Sequence, residues 1–187
     1  MGSLSSGNWN IIYKNKIDES IKRVIKTYQY NSYCSPKGLK ELRGRICELV
    51  SDLWEYNMDY NDMLTTTGSQ QSINLVSDIL LKSHESIIID KPSYYGAVNI
   101  FESKDINMVT VNINEEGIDL GMLENKILSY SPKVIYVVPT FNNPTGYSWS
   151  NENRKKFLKI INKYNITVIE DDPYSMINFT NERYESL

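Results

Sequence analysis

The sequence has few of the residues that build disulfide scaffolds and metal centres, with two cysteines and one histidine among 187 residues. Cys34 and Cys47 lack the spacing of metal ligands, so we interpret them as free thiols in a reducing cytosol. His84, the single histidine, precedes a predicted strand and receives no role. Cysteine-based metal chemistry is therefore not expected.

Long apolar runs and an excess of positive charge are also missing. No apolar stretch approaches the roughly 20 residues of a membrane span, and no signal peptide is visible. The net charge of -3 argues against a nucleic-acid surface. The composition, 41% hydrophobic and 23% charged, is that of a globular protein. We expect one cytoplasmic domain, with no membrane contact and no nucleic-acid contact by this segment.

The order of apolar segments predicts an α/β fold. Two apolar stripes at helical spacing predict helices over 17–28 and 39–54, which we expect to belong to the core. From residue 63 onward strands alternate with helices. The predicted strands are 63–67, 86–90, 108–112, 134–138 and 167–170, and the predicted helices are 69–82, 95–103, 120–129 and 151–164. This alternation predicts a mostly parallel sheet in a three-layer α/β/α arrangement.

The most informative stretch is 134–146, VIYVVPTFNNPTG. Its apolar run predicts an interior strand covered on both faces. The following N-N-P-T-G is either an ordinary turn or a ligand-binding loop, because ligands of open α/β sheets bind beyond the carboxyl ends of the strands. From the stretch itself the two interpretations are equally supported.

Three further strand ends carry polar loops. Gly68 and Ser69 open a helix whose free N–H groups suit a phosphate, although Ser69 could simply be its N-cap. Tyr94 and Tyr95 could stack on a flat ring or pack at a rim. The three carboxylates at 170–172 repel one another, so we expect one of them to have a cationic partner.

Taken together, these loops resemble one family, the fold-type I pyridoxal-phosphate enzymes of aminotransferase class I/II. The matching motifs are Y-x-x-P-x-G-L at 33–39, G-S-Q-Q at 68–71, P-S-Y at 92–94, N-N-P-T-G at 142–146 and E-D-D-P-Y at 170–174. The resemblance is strongest to the aminoadipate and kynurenine aminotransferases and to the aminotransferase-like domains of MocR-type regulators. It implies the large domain of a pyridoxal-phosphate-dependent transferase.

The resemblance also implies roles for individual residues around pyridoxal 5'-phosphate. Asp171 would pair with the protonated ring nitrogen, which lets the ring absorb electrons. Asn143 and Tyr174 would hydrogen-bond the ring's 3-oxygen, and Tyr94 would stack on the ring face. Ser69 and Gln70 would hold the phosphate.

Two residues of the N-terminal portion complete this implied set. Tyr33 would reach the phosphate of a neighbouring subunit, which implies a homodimer. Gly7 and Asn143 would lie against the substrate, an amino acid or a 2-oxo acid. The resemblance accordingly divides the chain into an N-terminal arm with helices, 1–62, and a partial cofactor-binding large domain, 63–187, treated as one structural unit.

One family residue has no counterpart in the sequence. The catalytic Schiff-base lysine follows the Asp-x-x-Tyr loop by a few tens of residues, whereas no lysine follows Lys163 here. We expect an N-terminal portion of such an enzyme that is inactive alone. Two functions stay open for the parent protein: a cytosolic aminotransferase, or a transcription regulator whose aminotransferase-like domain senses the cofactor.

Overall fold

The structure is a computed structural model that describes residues 14–27, 33–54, 56–179 and 184–187. The helices are α1 (Lys14–Thr27), α2 (Lys40–Trp54), α3 (Ser69–Leu80), α4 (Tyr95–Ser103), α5 (Leu120–Tyr130) and α6 (Asn151–Tyr164), with a short 3-10 helix at Tyr60–Asp62. The strands are β1 (Ser86–Lys91), β2 (Asn107–Asn114), β3 (Gly117–Ile118), β4 (Val134–Val137) and β5 (Thr167–Glu170). Within these residues no helix has the length and apolar character that crossing a membrane requires.

The strands form one sheet in the order β3-β2-β1-β4-β5. Strand β1 pairs in parallel with both β2 and β4, and β4 pairs in parallel with β5. The short β3 pairs antiparallel with β2 and was not predicted. The chain leaves β1 toward β2 and later returns to the other side of β1 as β4. A topological switch point therefore lies between β1 and β4, where such sheets bind ligands.

Two apolar cores cover the two faces of the sheet. Ile87, Ile89 and Tyr136 pack with α3 and α4 on one face. Ile88 and Ile135 pack with α5 and α6 on the other, because successive side chains of a strand point to opposite faces. This arrangement confirms the predicted three-layer fold with a mostly parallel sheet.

The predicted strand 63–67 is wrong. Met63 has an extended backbone, but within the described residues the segment joins no sheet. The N–H of Thr65 donates to the carbonyl of Lys37 at 3.0 Å, and the N–H of Thr67 donates to the side chain of Gln71 at 2.7 Å. Extended residues become a strand only when a neighbouring strand supplies the ladder, and these donors bond to a loop and to a side chain instead.

The predicted burial of the first apolar stripe is also wrong. In α1, Ile17, Ile21 and Ile25 are 44%, 50% and 60% exposed. Only part of the second stripe is buried, with Val50 inside and Leu42 and Leu49 exposed. A helical stripe shows which face a helix would bury but not whether another element covers it.

Candidate functional site

A cleft of about 480 Å³ opens at the switch point of the sheet. It lies beyond the carboxyl ends of β4 and β5 and next to the first residue of α3. Five of the residues predicted from the sequence line it: Ser69, Tyr94, Asn143, Asp171 and Tyr174. Four separate loops therefore meet around one space, as the strand-end argument predicts.

Asp171 follows β5 directly and places a carboxylate at the cleft. Its N–H donates to the carbonyl of Val137 at 2.9 Å, which continues the β4–β5 ladder by one bond. Its Oδ2 accepts a hydrogen bond from the phenol of Tyr136 at 2.7 Å. Burial raises the pKa of Asp171, and the Tyr136 hydrogen bond opposes that rise. A half-buried carboxylate of this kind favours a cationic ligand.

Asp90 lies at the end of β1 and is fully buried. Its carboxylate accepts hydrogen bonds from Ser93 Oγ at 2.6 Å, from the N–H of Val138 at 3.2 Å and from Asn142 Nδ2 at 2.8 Å. Burial raises the pKa of Asp90 to about 6, and the hydrogen bonds from Ser93 and Val138 limit the rise. Asp90 thus ties the loop after β1 to the loop after β4.

The N-N-P-T-G segment is both a turn and part of the cleft. The carbonyl of Asn142 accepts from the N–H of Gly146 at 2.6 Å, and its side-chain oxygen accepts from Thr145 Oγ1 at 3.0 Å. The next residue, Asn143, lines the cleft. The turn interpretation is confirmed, and the turn made by Asn142 presents Asn143 to the cleft. Ligand binding by this loop stays a prediction.

The start of α3 faces the same cleft. The N-cap is Gly68 rather than Ser69, which excludes the N-cap interpretation of Ser69. Gly68 has φ +104° and ψ 166°, a conformation essentially restricted to glycine, and it makes no side-chain cap. Gln70 Nε2 donates to the phenol oxygen of Tyr94 at 3.0 Å. The first turn of α3 is therefore joined to the tyrosine of the neighbouring loop.

Tyr94 is held in place by its neighbours. Its ring meets that of Tyr95 edge-on at 5.3 Å between centroids. A Cβ added at Gly96 would lie 2.6 Å from three side-chain atoms of Tyr94, so the ring occupies the space that this glycine leaves free. Tyr94 presents an aromatic side chain to the cleft in a defined orientation.

The three carboxylates at the end of β5 have separate partners. Glu170 lies 3.9 Å from Arg154, a buried residue of α6, which confirms the predicted cationic partner. Burial raises the pKa of Glu170. Asp172 accepts from the N–H of Ser175 at 3.0 Å. Asp171 is consequently the carboxylate of this group that lines the cleft.

Three predicted residues do not line the cleft as the described residues form it. Gln70 contacts it only through its hydrogen bond to Tyr94. The other two are Tyr33 and Gly7. Tyr33 is fully exposed and does not line it. Gly7 lies outside the described residues. The predicted roles of all three stay predictions.

Sequence reasoning missed two polar residues beneath the cleft. Tyr136 is fully buried within β4, and a phenol in a strand covered on both faces needs a hydrogen-bond partner, which is a readable signal. Asp90 is the last residue but one of β1 and follows three isoleucines, and an acid there must be desolvated in the same way. Tyr95, Val138, Pro144 and Pro173 also line the cleft.

The sequence is similar to aminotransferases and to regulators with a related domain. It is 27% identical over 173 residues to aromatic-amino-acid aminotransferase 1 of Thermococcus litoralis, covering 89% of this chain and 42% of that protein. It is 33% identical over 155 residues to 2-aminoadipate transaminase of Thermus thermophilus, covering 83% and 38%. It is 31% identical over 148 residues to the HTH-type transcriptional regulator NorG of Staphylococcus aureus, covering 79% and 33%. The chain spans less than half the length of each.

Solved structures with the same fold include two aminotransferase complexes. Kynurenine aminotransferase of Pyrococcus horikoshii, in complex with PMP, matches with a TM-score of 0.86 and 25% identity over 92% of this chain and 44% of that chain. The α-aminoadipate aminotransferase of Thermus thermophilus, complexed with N-(5'-phosphopyridoxyl)-L-leucine, matches with a TM-score of 0.85 and 29% identity over 92% and 43%.

The family comparison covers nearly the whole sequence. The model of the family described as aminotransferase class I and II matches residues 4–187, which include every loop of the cleft. The chain belongs to the aminotransferase class I and II family.

Proposed function

We propose that the cleft binds pyridoxal 5'-phosphate and that the parent protein transfers amino groups between an amino acid and a 2-oxo acid. The observation that carries the proposal is the meeting of Asp171, Tyr94 and the start of α3 around one cleft. Family membership and the phosphopyridoxyl ligand of the Thermus relative support it.

The side chains of the cleft fit a flat, phosphorylated heteroaromatic ring. Burial makes the Asp171 carboxylate costly to ionise, so a protonated ring nitrogen beside it is a favourable partner. The first turn of α3 has no side-chain cap from Gly68, which leaves N–H groups for a phosphate. Ser69 adds a hydroxyl, and Gln70 is placed by its bond to Tyr94.

The remaining residues have roles in orientation. Asn143 and Tyr174 would donate hydrogen bonds to the ring's 3-oxygen, and Tyr94 would stack on the ring face. When bound, pyridoxal phosphate supplies an electron sink for the carbanion formed at the amino acid. Asp171 serves this chemistry by holding a proton at the ring nitrogen.

The 187 residues are proposed to be inactive alone. None of the described residues that line the cleft is a lysine, and a lysine nucleophile is what this chemistry needs for covalent attachment and proton transfer. We expect the chain to bind the cofactor without covalent attachment.

Titration with pyridoxal phosphate tests the proposal. Binding is monitored through the quenching of tryptophan fluorescence. We expect saturable binding that Asp171→Asn weakens about tenfold or more, since charge-assisted hydrogen bonds contribute roughly 1.5–3 kcal/mol. Asp172→Asn is the matched control, because Asp172 neighbours Asp171 but does not line the cleft. Equal affinity of both variants, or no binding by the unaltered chain, would refute the assignment of the cleft.

Two measurements test the proposed inactivity. Borohydride treatment of the complex should leave no cofactor attached to any residue that lines the cleft, as peptide mapping would show. An amino-donor assay with pyridoxal phosphate should show no turnover above the rate of free cofactor. Measurable turnover by the purified 187 residues would contradict this part of the proposal.

A second candidate function is favoured by the similarity to NorG, an HTH-type regulator. In that case the cleft belongs to a MocR-type regulator and senses the cofactor without transferring amino groups. The product of the whole gene decides between them. Turnover of an amino donor supports the aminotransferase, whereas DNA binding that changes with pyridoxal phosphate supports the regulator.

The proposal includes a homodimer in the cytoplasm. Tyr33 is fully exposed and is proposed to reach the phosphate of a neighbouring subunit. Cys34 and Cys47 are both free, which supports a reducing compartment. We expect Tyr33→Ala to lose affinity for the cofactor. Mixing it with a variant altered in the cleft should restore binding, because a mixed dimer has one intact cleft that an intact Tyr33 of the other subunit can reach.

A further inference from the structure

Tyr136 is the residue that contacts Asp171 from below the cleft. Its side chain is fully buried in β4 and does not line the cleft, yet its phenol oxygen lies 2.7 Å from Asp171 Oδ2. We propose that Tyr136 is a positioning residue whose phenol O–H holds the carboxylate of Asp171 turned into the cleft. The inference rests on the proposed function, in which Asp171 pairs with the ring nitrogen.

The sheet fixes the relative position of the two side chains. Tyr136 is paired with Ile169 in the β4–β5 register, and Asp171 follows Ile169 by two residues. Side chains two residues apart on a strand point to the same face, so Tyr136 and Asp171 lie diagonally on one face of the sheet. Backbone hydrogen bonds on both edges of β4 therefore set the distance between the phenol and the carboxylate.

The ring of Tyr136 is also fixed by packing. It meets the ring of Phe101 edge-on, with 5.6 Å between centroids and an interplanar angle of 72°. Both rings are fully buried in the core between the sheet and α4. Because the ring is held in this orientation, its phenol oxygen has one position, which lies within hydrogen-bonding distance of Asp171.

The surrounding charges keep the phenol protonated. Burial raises the pKa of Tyr136, as do the carboxylates of Asp171 and Asp90 and the phenol of Tyr94. Tyr136 can therefore act only as a neutral donor. For Asp171, burial and the charge of Asp172 raise the pKa, and the hydrogen bond from Tyr136 lowers it. Tyr136 thus favours the ionised carboxylate that a cationic ring nitrogen needs.

Tyr136→Phe removes the donor and keeps the ring. The first measurement is the pKa of the Asp171 carboxyl, determined by carbon NMR in the absence of cofactor. We expect this pKa to rise in the variant. The second is the dissociation constant for pyridoxal phosphate, which we expect to rise about tenfold, as for a lost hydrogen bond to a charged group.

Tyr164→Phe is the matched control. Its phenol also donates to a carboxylate, that of Glu124 at 2.8 Å, but this bond joins α6 to α5 and does not involve the cleft. The same loss of a phenol there should leave the pKa of Asp171 and the cofactor affinity unchanged. This control separates an effect at Asp171 from a general effect of removing a hydrogen bond between a phenol and a carboxylate.

A double-mutant cycle shows whether Tyr136 acts through Asp171. In the Asp171→Asn background Tyr136→Phe should no longer weaken binding, whereas a merely structural loss would persist. If Tyr136→Phe does not fold, 3-fluorotyrosine at position 136 keeps the ring and strengthens the donor, and the pKa of Asp171 should fall.

The outcomes distinguish the inference from the function on which it rests. An unchanged Asp171 pKa, or additive losses in the cycle, would overturn the role of Tyr136 while cofactor binding by the unaltered chain still stands. Failure of the unaltered chain to bind pyridoxal phosphate would overturn the proposed function and this role with it.

Discussion

The carboxylate of Asp90 accepts a hydrogen bond from the side-chain amide of Asn142 at 2.8 Å, across 52 residues of sequence. Asn142 forms the turn that presents Asn143 to the cleft. Through this bond and those from Val138 and Ser93, a single buried carboxylate fixes the loops that follow β4 and β1. The geometry of the cleft therefore depends on a residue that does not line it.

Asp90 should make the stability of the protein fall as the pH rises. Burial raises its pKa from 3.8 to about 6 in the folded chain. Its stabilising contribution is therefore complete below the unfolded pKa and is lost as the pH rises through the folded pKa. The free energy of unfolding should decrease by about 2.5 kcal/mol between about pH 4 and pH 7, relative to Asp90→Asn.

Urea unfolding of both proteins at several pH values measures this difference. Taking the difference cancels the other groups with raised pKa values, including Glu170 and Asp171. Asp52→Asn on α2 is the control, because Asp52 is exposed and should leave the pH profile of the unaltered chain in place. A difference that does not change with pH would mean that Asp90 is not desolvated as the structure indicates.

Gly96→Ala should weaken cofactor binding by moving Tyr94. The added Cβ would lie 2.6 Å from the Tyr94 ring, so the ring must shift and its hydrogen bond from Gln70 must lengthen. We expect the dissociation constant for pyridoxal phosphate to rise roughly threefold to tenfold, the worth of one aromatic contact. Fluorescence titration measures it.

Gly121→Ala provides the control for this substitution. It also replaces a helical glycine, but its Cβ would meet only Asp119 Oδ1 at an ordinary 3.6 Å. We expect a gain in stability of about 0.5–1 kcal/mol from the helix and an unchanged affinity. Equal affinities in both variants would show that the orientation of Tyr94 does not matter for the ligand.

Arg154→Met should destabilise the fold strongly. Arg154 is 2% exposed and donates to the carbonyls of Pro139 and Trp149 and to Thr140 Oγ1. Removing it leaves these acceptors and the Glu170 carboxylate buried without a cation, which typically costs about 3–5 kcal/mol. Urea unfolding measures the loss.

Arg45→Met is the surface counterpart. Arg45 pairs with Glu48 at 2.7 Å, but their side chains are 81% and 64% exposed, so we expect a change within about 0.5 kcal/mol. If Arg154→Met changed the free energy of unfolding by a similarly small amount, the ion pair between Arg154 and Glu170 would have to be accessible to water.

The sheet was readable from the sequence where the signal is local. Val134–Val137 is apolar at every position, as a strand covered on both faces requires. Ser150 precedes the helical pattern and caps α6 by accepting from the N–H of Asn153 at 3.2 Å. The prediction of a strand at 63–67 was wrong because a strand needs a partner elsewhere in the chain, and the apolar pattern of a segment carries no information about that partner.

The cleft was predicted in outline for the same reason. Asp171 and Asn143 follow strands, and the ends of parallel strands meet at one edge. The contacts beneath them were not predictable. Whether Tyr136 faces α4 or α6 depends on the register between β4 and β5, which pairs it with Ile169. Only the folded structure shows that its phenol ends at Asp171.

Gly68→Ala should affect both stability and binding. Gly68 has φ +104° and ψ 166°, and nothing lies within 4 Å of an added Cβ, so backbone strain is the only cost. We expect a loss of roughly 1–3 kcal/mol in the free energy of unfolding. If the chain relieves this strain by shifting the first turn of α3, the affinity for pyridoxal phosphate should fall as well.

Gly44→Ala in α2 is the control. A Cβ added at Gly44 also has nothing within 4 Å, but Gly44 does not have a positive φ. This substitution should stabilise the fold by about 0.5–1 kcal/mol without changing the affinity. Urea unfolding and fluorescence titration of both variants separate the two effects. Unchanged stability in Gly68→Ala would show that Gly68 does not adopt this positive-φ conformation at the start of α3.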